Sequence, residues 1–235
     1  MKVAICHWGL PRRVKETYQS HQKIIYDELN KLGIDYDIWY HTWKLKDDIQ
    51  RVWGSVCKTP INYEDYKVLK PDYYFIDDQE EFMKTVRDNW DKYYNKETKG
   101  EWLPFLIENY LCALESQKRC FTYIMNSGIK YDLVFFIRPD SYFEKPINIR
   151  KILEHLKNND KCCVISQHKC YGFYNDRLAF LNYNNANKYG CRINEVIDYR
   201  KNIAPIVAEK YTKWICDKYF NVVKMDIQTK ELRPV

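Results

Sequence analysis

Lys2–Cys6 opens the chain as a short apolar run, the pattern of a first strand in an α/β domain. The segment HWGLPR then turns. From about Arg13 to Leu32, Val14, Tyr18, His21, Ile25, Leu29 and Leu32 recur at steps of three and four, which predicts an amphipathic helix. Gly33 stands where a helix C′ glycine belongs. Asp35–Tyr40 reads as a second strand, with His41, Thr42 and Trp43 leaving its carboxyl end. Strand, helix and strand in that order form a β-α-β unit, so the strands should pair in parallel through a right-handed crossover.

Residues 44–100 carry weaker signals. A strand is expected at Tyr73–Ile76, then a helix from Asp77 to about Tyr94 with Phe82, Val86 and Tyr93 on one face, and an exposed loop at Lys96–Glu101. A long helix should run from about Pro104 to Asn126 and stop at Ser127-Gly128. Leu133–Ile137 is the most hydrophobic stretch, hence a central strand buried on both faces, and it ends at Arg138-Pro139-Asp140. Cys162–Ser166 reads as a strand, and Asn175 to about Tyr189 as a loop followed by a short helix. Residues 204–220 read as a helix and Val222–Thr229 as a last strand. Strands spread over the whole chain predict one α/β domain.

Composition narrows the class. In 235 residues there are seven glycines and eight prolines, too few for long disordered linkers or low-complexity tails. No apolar run approaches the ~20 residues that cross a bilayer. Arg12 and Arg13 follow the first apolar run instead of preceding it, unlike a signal peptide. A soluble, cytoplasmic protein is expected. Nine cysteines, an odd number without any C-x-x-C, fit neither a disulfide framework nor a zinc site and read as reduced. The net charge of +6 is spread along the chain without a basic block, which argues against nucleic acid as a partner.

Candidate chemistry lies beyond the carboxyl ends of the strands, where open α/β sheets bind ligands. Three such ends carry unusual polar residues: Gly9–Arg13, His41-Thr42-Trp43 and Arg138-Pro139-Asp140. Arg138 and Asp140 abut five apolar residues, where an unpartnered charge would be costly. They either form a structural salt bridge or face a ligand. The sequence lacks G-x-G-x-x-G after strand one, G-x-x-x-x-G-K-[ST], G-x-S-x-G and H-E-x-x-H. What survives is a site of arginines, an aspartate and aromatics, suited to a phosphate-bearing substrate, with a divalent cation as an option at the aspartate.

Gly9-Leu10-Pro11-Arg12, YDIWYHTW (36–43), YDLVFFIRPD (131–140) and Asn175-Asp176-Arg177-Leu178-Ala179-Phe180 occur in that order. Together they resemble small GT-A-type glycosyltransferases of bacteria and large DNA viruses, with their G-x-x-R, HTW, R-x-D and D-R-x-A-F pattern. The resemblance implies a three-layer α/β fold with a central, mostly parallel mixed sheet. It also implies a nucleotide-sugar half over about 1–140 and an acceptor half over about 141–235. Gly9, Arg12, His41, Thr42, Trp43 and Arg138 would hold the nucleotide-sugar donor. Asp140, in the place of the D-x-D carboxylates, would hold Mn or Mg; Arg138 stands where the first Asp is expected, so the cation is weakly held or dispensable. His168 is a further candidate metal ligand, against the plain reading of a solvated loop residue. Asp176 would be the base facing a glycan or glycoprotein acceptor, against the plain reading of a helix N-cap. The alternatives are a non-catalytic nucleotide- or carbohydrate-binding module and a nucleotidyltransferase with the same pocket.

Overall fold

The computed structural model describes residues 1–46, 50–52, 55–57, 60–168 and 170–232. Strand β1 (Lys2–Trp8) leads into helix α1 (Val14–His21), which continues through a π-helical turn (Gln22–Tyr26) into α2 (Asp27–Lys31). The single helix expected from the periodicity is thus one rod with a widened turn, and that turn buries Ile24, Ile25 and Tyr26 together. Gly33, at φ +64°, makes the left-handed exit that a side chain would resist. Strand β2 (Asp35–Lys44) then pairs in parallel with β1, from Lys2 opposite Asp35 to Trp8 opposite His41. The expected β-α-β unit is present, but β2 runs four residues beyond Tyr40.

A hairpin of β3 (Gln50–Val52) and β4 (Ser55–Cys57) precedes β5 (Tyr73–Asp78), which adds in parallel to β2. Helix α3 (Gln79–Arg87) is shorter than its apolar face suggested, and a 3₁₀ turn follows at Trp90–Lys92. Helix α4 (Pro104–Asn126) has the expected limits, with Pro104 in its first turn, where a missing N–H costs nothing. Then come β6 (Leu133–Ile137), β7 (Ser141–Phe143), α5 (Ile149–Asn158), β8 (Cys162–Ser166) and β9 (Leu178–Asn182). Helices α6 (Ala186–Gly190), α7 (Val196–Asn202) and α8 (Ala208–Tyr219) lead to β10 (Asn221–Met225) and β11 (Thr229–Glu231). The last strand read from the sequence is therefore two. Its second part, β11, leaves the main sheet to pair with β7.

The main sheet has seven strands in the order β10-β8-β9-β6-β1-β2-β5. All run parallel except β9, which is antiparallel to both β6 and β8. This corrects the loop expected after Asn175: Leu178–Leu181 are fully buried and form a strand. The most apolar segment, β6, lies at the middle of the order, and each of its residues is buried. Alternate side chains of β1 serve opposite faces. Val3 and Ile5 face a core with the α1–α2 rod and α5, whereas Ala4, Cys6 and Trp8 face one with α4 and α6–α8. The result is the three-layer α/β/α architecture with a mostly parallel mixed sheet.

Candidate active site at the carboxyl edge of the sheet

A cavity of about 220 Å³ opens beyond the carboxyl ends of β1 and β6. Gly9 and Arg12 reach it from the turn after β1, and Arg138, Pro139 and Asp140 from the corner after β6. Asp176 and Arg177 reach it because β9 is reversed. An antiparallel strand starts where its parallel neighbour ends: Ile137 lies opposite Leu178, and the Arg138 N–H donates to the Arg177 carbonyl at 2.9 Å. Glu209 at the start of α8 and Glu231 at the end of β11 complete the polar wall, and Trp8, Trp43 and Trp102 form an aromatic one.

The charges are arranged in two groups. Arg138 grips Asp140 with both edges of the fork, Nε to Oδ1 at 3.0 Å and Nη2 to Oδ2 at 2.5 Å, and Nη2 also meets Glu231 Oε1 at 3.0 Å. Burial disfavours the Arg138 charge, but Asp140 and then Glu231 outweigh it and keep the guanidinium protonated above its ordinary range. Arg177 is only 9% exposed. Its Nη2 lies 3.5 Å from Glu231 Oε2, while its buried Nε and Nη1 have no hydrogen-bond partner among the described residues. Asp176, by contrast, forms no hydrogen bond or salt bridge with the described residues. Its charge, together with burial as the larger cause, raises the Glu209 carboxyl above the usual range. Asp176 precedes a strand, so the helix N-cap reading does not apply.

Of the residues singled out from the sequence, Gly9, Arg12, Trp43, Arg138, Asp140 and Asp176 line this cavity; His41, Thr42 and His168 do not. His41 and Thr42 are fully buried inside β2, because that strand continues past the point where the polar side chains suggested an end. His41 nevertheless supports the site. Its Nε2 lies 3.1 Å from Asp77 and its Nδ1 2.7 Å from Ser116 Oγ, and that oxygen accepts the Gly9 N–H at 2.9 Å. Burial lowers the His41 pKa, with Asp77 pulling the other way, and Ser116 Oγ donates to the His41 carbonyl at 3.1 Å. Gly9 itself sits at φ +90°, a conformation that holds its amide in this bond and that a side chain would strain. His168 is paired with Asp226 away from the cavity lining.

Sequence reasoning missed Arg177, Glu209, Glu231 and Ser116 as site residues. Arg177 lay in plain view beside Asp176. Ser116 and Glu231 carried no local signal, since each acts on residues more than 50 positions away in the chain.

The cavity holds no ready-made cage for a resident divalent cation. Ions such as Mg²⁺ take one or two carboxylates together with substrate phosphates and waters. Here both oxygens of Asp140 are engaged by Arg138, and Asp176 is the lining acid left without a hydrogen bond among the described residues. Among the described residues no three His, Cys, Asp or Glu side chains gather to hold a metal.

No protein-family model and no curated protein sequence matches the chain. Similar folds occur among solved structures. A core-mannan synthase from Aspergillus fumigatus in its Mn/GDP form is 10% identical, with 98% of this chain and 74% of that chain covered at a TM-score of 0.51. A galactosyltransferase in complex with donor and acceptor sugar analogs is 10% identical, with coverages of 95% and 73% and a TM-score of 0.45. Mouse xyloside xylosyltransferase 1 in its apo form is 8% identical, with coverages of 94% and 84% and a TM-score of 0.42. At these identities the likeness is one of fold: the mixed α/β architecture expected from the GT-A resemblance is the architecture this chain has.

Proposed function

We propose that the protein transfers a glycosyl group from a nucleotide-sugar donor to a glycan or glycoprotein acceptor. The observation that carries this reading is Asp176, an unbonded carboxylate in the same cavity as the Arg138–Arg177 cluster at the carboxyl edge of the sheet. The fold shared with a mannan synthase solved with Mn and GDP supports it. In this reading the arginine side takes the donor diphosphate, and the tryptophans of the wall flank nucleoside and sugar. The bond between the anomeric carbon and the diphosphate oxygen breaks, and its electron pair leaves with the nucleoside diphosphate. A new bond forms from the acceptor oxygen to the anomeric carbon, and Asp176 takes the proton that this hydroxyl loses. The residues before about 140 then form most of the donor side, joined there by Arg177, and later ones such as Asp176 and Glu209 form the acceptor side.

The test is consumption of a panel of UDP-, GDP- and dTDP-sugars by the wild-type protein and by Asp176→Asn. Donor turnover lost in the variant, with nucleoside diphosphate binding kept, is the expected result. Binding without any turnover in the wild type would leave a non-catalytic nucleotide-binding module.

A further inference from the structure

We infer that the diphosphate of the ligand is held without a metal ion, by the guanidinium groups of Arg177 and Arg138. The inference rests on the glycosyl-transfer reading and specifies how its donor site is charged. Three observations carry it. Arg177 is nine-tenths buried and lines the cavity, yet its Nε and Nη1 have no hydrogen-bond partner among the described residues. A buried charged donor left in that state is costly, and an anion with several acceptor oxygens is what would satisfy it. Next, the two guanidinium groups already share one anion. Glu231 bridges them, Oε1 to Arg138 and Oε2 to Arg177, which shows that their spacing accepts a two-oxygen ligand. Finally, Asp140, the acid at the strand end where a cation was expected, is held at both oxygens by Arg138.

The charge count is consistent with this assignment. Arg138 and Arg177 are offset by Asp140 and Glu231, and the other lining charges, Arg12 and Arg192 against Asp176 and Glu209, also balance, so an arriving diphosphate would find no net attraction if every group kept its partner. Arg177 keeps Nε and Nη1 in reserve, and Glu231 is the more exposed of the two acids, at 16% of its side chain against 6% for Asp140. Glu231 is therefore the anion with which the ligand competes. Arg177 acts here as a binding residue and Glu231 as the acid that limits affinity.

The experiment is calorimetric titration of the full chain with inorganic pyrophosphate and with UDP, GDP and dTDP, in EDTA and then with Mn²⁺ or Mg²⁺. Binding in EDTA that metal improves by less than about threefold is expected. Arg177→Gln should weaken it about 10- to 100-fold, the range of a lost charged hydrogen bond. Arg177→Lys should recover part of the loss, and Glu231→Gln should tighten binding by removing the competing charge. Melting curves of each variant separate lost binding from lost folding, and the wild-type titration in EDTA decides the question even if Arg177 variants do not fold. Binding that appears only with metal would overturn the inference and leave the transfer reading standing. Failure of every probe to bind under either condition would overturn both.

Discussion

Two carboxylates at the same edge of the sheet have opposite surroundings, and single substitutions should separate them. Asp140 is 4% exposed and engaged at both oxygens by Arg138. The structure gives it the salt bridge, at a position that also lines the cavity. Removing its charge leaves Arg138 with Glu231 and the field of Asp176, and breaking one side of a buried pair costs about 3–5 kcal/mol. Asp140→Asn should therefore fall at or just below the low end of that range in urea unfolding, since Glu231 stays. Asp176 has no bonded partner to strand. Asp176→Asn should stay within about 0.5 kcal/mol of the wild type by the same measurement, as ordinary surface substitutions do. Equal losses for the two variants would contradict the difference in their environments.

At the level of elements, the length of β2 decides what His41 does. Because the strand continues to Lys44, His41 points into the protein and reaches the cavity only through Ser116 on α4 and the Gly9 amide. Ser116→Ala removes the oxygen at the centre of that link and leaves buried polar groups unsatisfied. A loss of about 1–3 kcal/mol is expected in denaturation, together with weaker nucleotide binding, because Gly9 loses one of the two acceptors that fix its amide. This is also where legibility from sequence gave out. Segments β6, β8 and α4 were readable because apolar runs met clear stops: Arg138-Pro139 after β6 and Ser127-Gly128 after α4. The end of β2 was not, since His, Thr and Trp look like an exit although a sheet can bury them. Strand β9 was hidden for a different reason. Buried on both faces, Leu178–Leu181 show no alternation, so nothing distinguished them from a short buried helix. With β9 unrecognised, nothing in the sequence placed Arg177 beside Arg138.

For the molecule as a whole, buried histidines, His7 and His21 foremost, shape the response to acid. His7 on β1 lies 2.7 Å from the Ile137 carbonyl and 2.8 Å from the Tyr26 hydroxyl, and His21 on α1 lies 2.6 Å from the Ser141 carbonyl. Both are fully buried. Burial lowers their pKa values, with the neighbouring His21 adding to the effect on His7, to about 3 for His7 and about 4 for His21. The unfolded chain takes up these protons near the ordinary value of about 6.5. The stability they contribute is thus present above that pH and drains as pH falls toward the folded values. Between pH 7 and 5 the two together should cost about 4 kcal/mol, the slope for each approaching about 1.4 kcal/mol per unit below pH 6.5. Denaturation midpoints at pH 7 and pH 5 check this, and a flat profile would contradict neutral buried imidazoles. The same strand that carries His7 also governs the order in which the protein can come together. One neighbour of β1 is β2, the next strand made, but the other is β6, with Val3 opposite Leu133. A chain emerging from the ribosome therefore keeps one flank of its first strand bare for some 130 residues, an interval in which it is exposed to wrong pairings. The pocket waits longer still, since Arg138 and Arg177 gain their shared acid only when residue 231 has been made. Prematurely released fragments should need chaperones and be chemically silent.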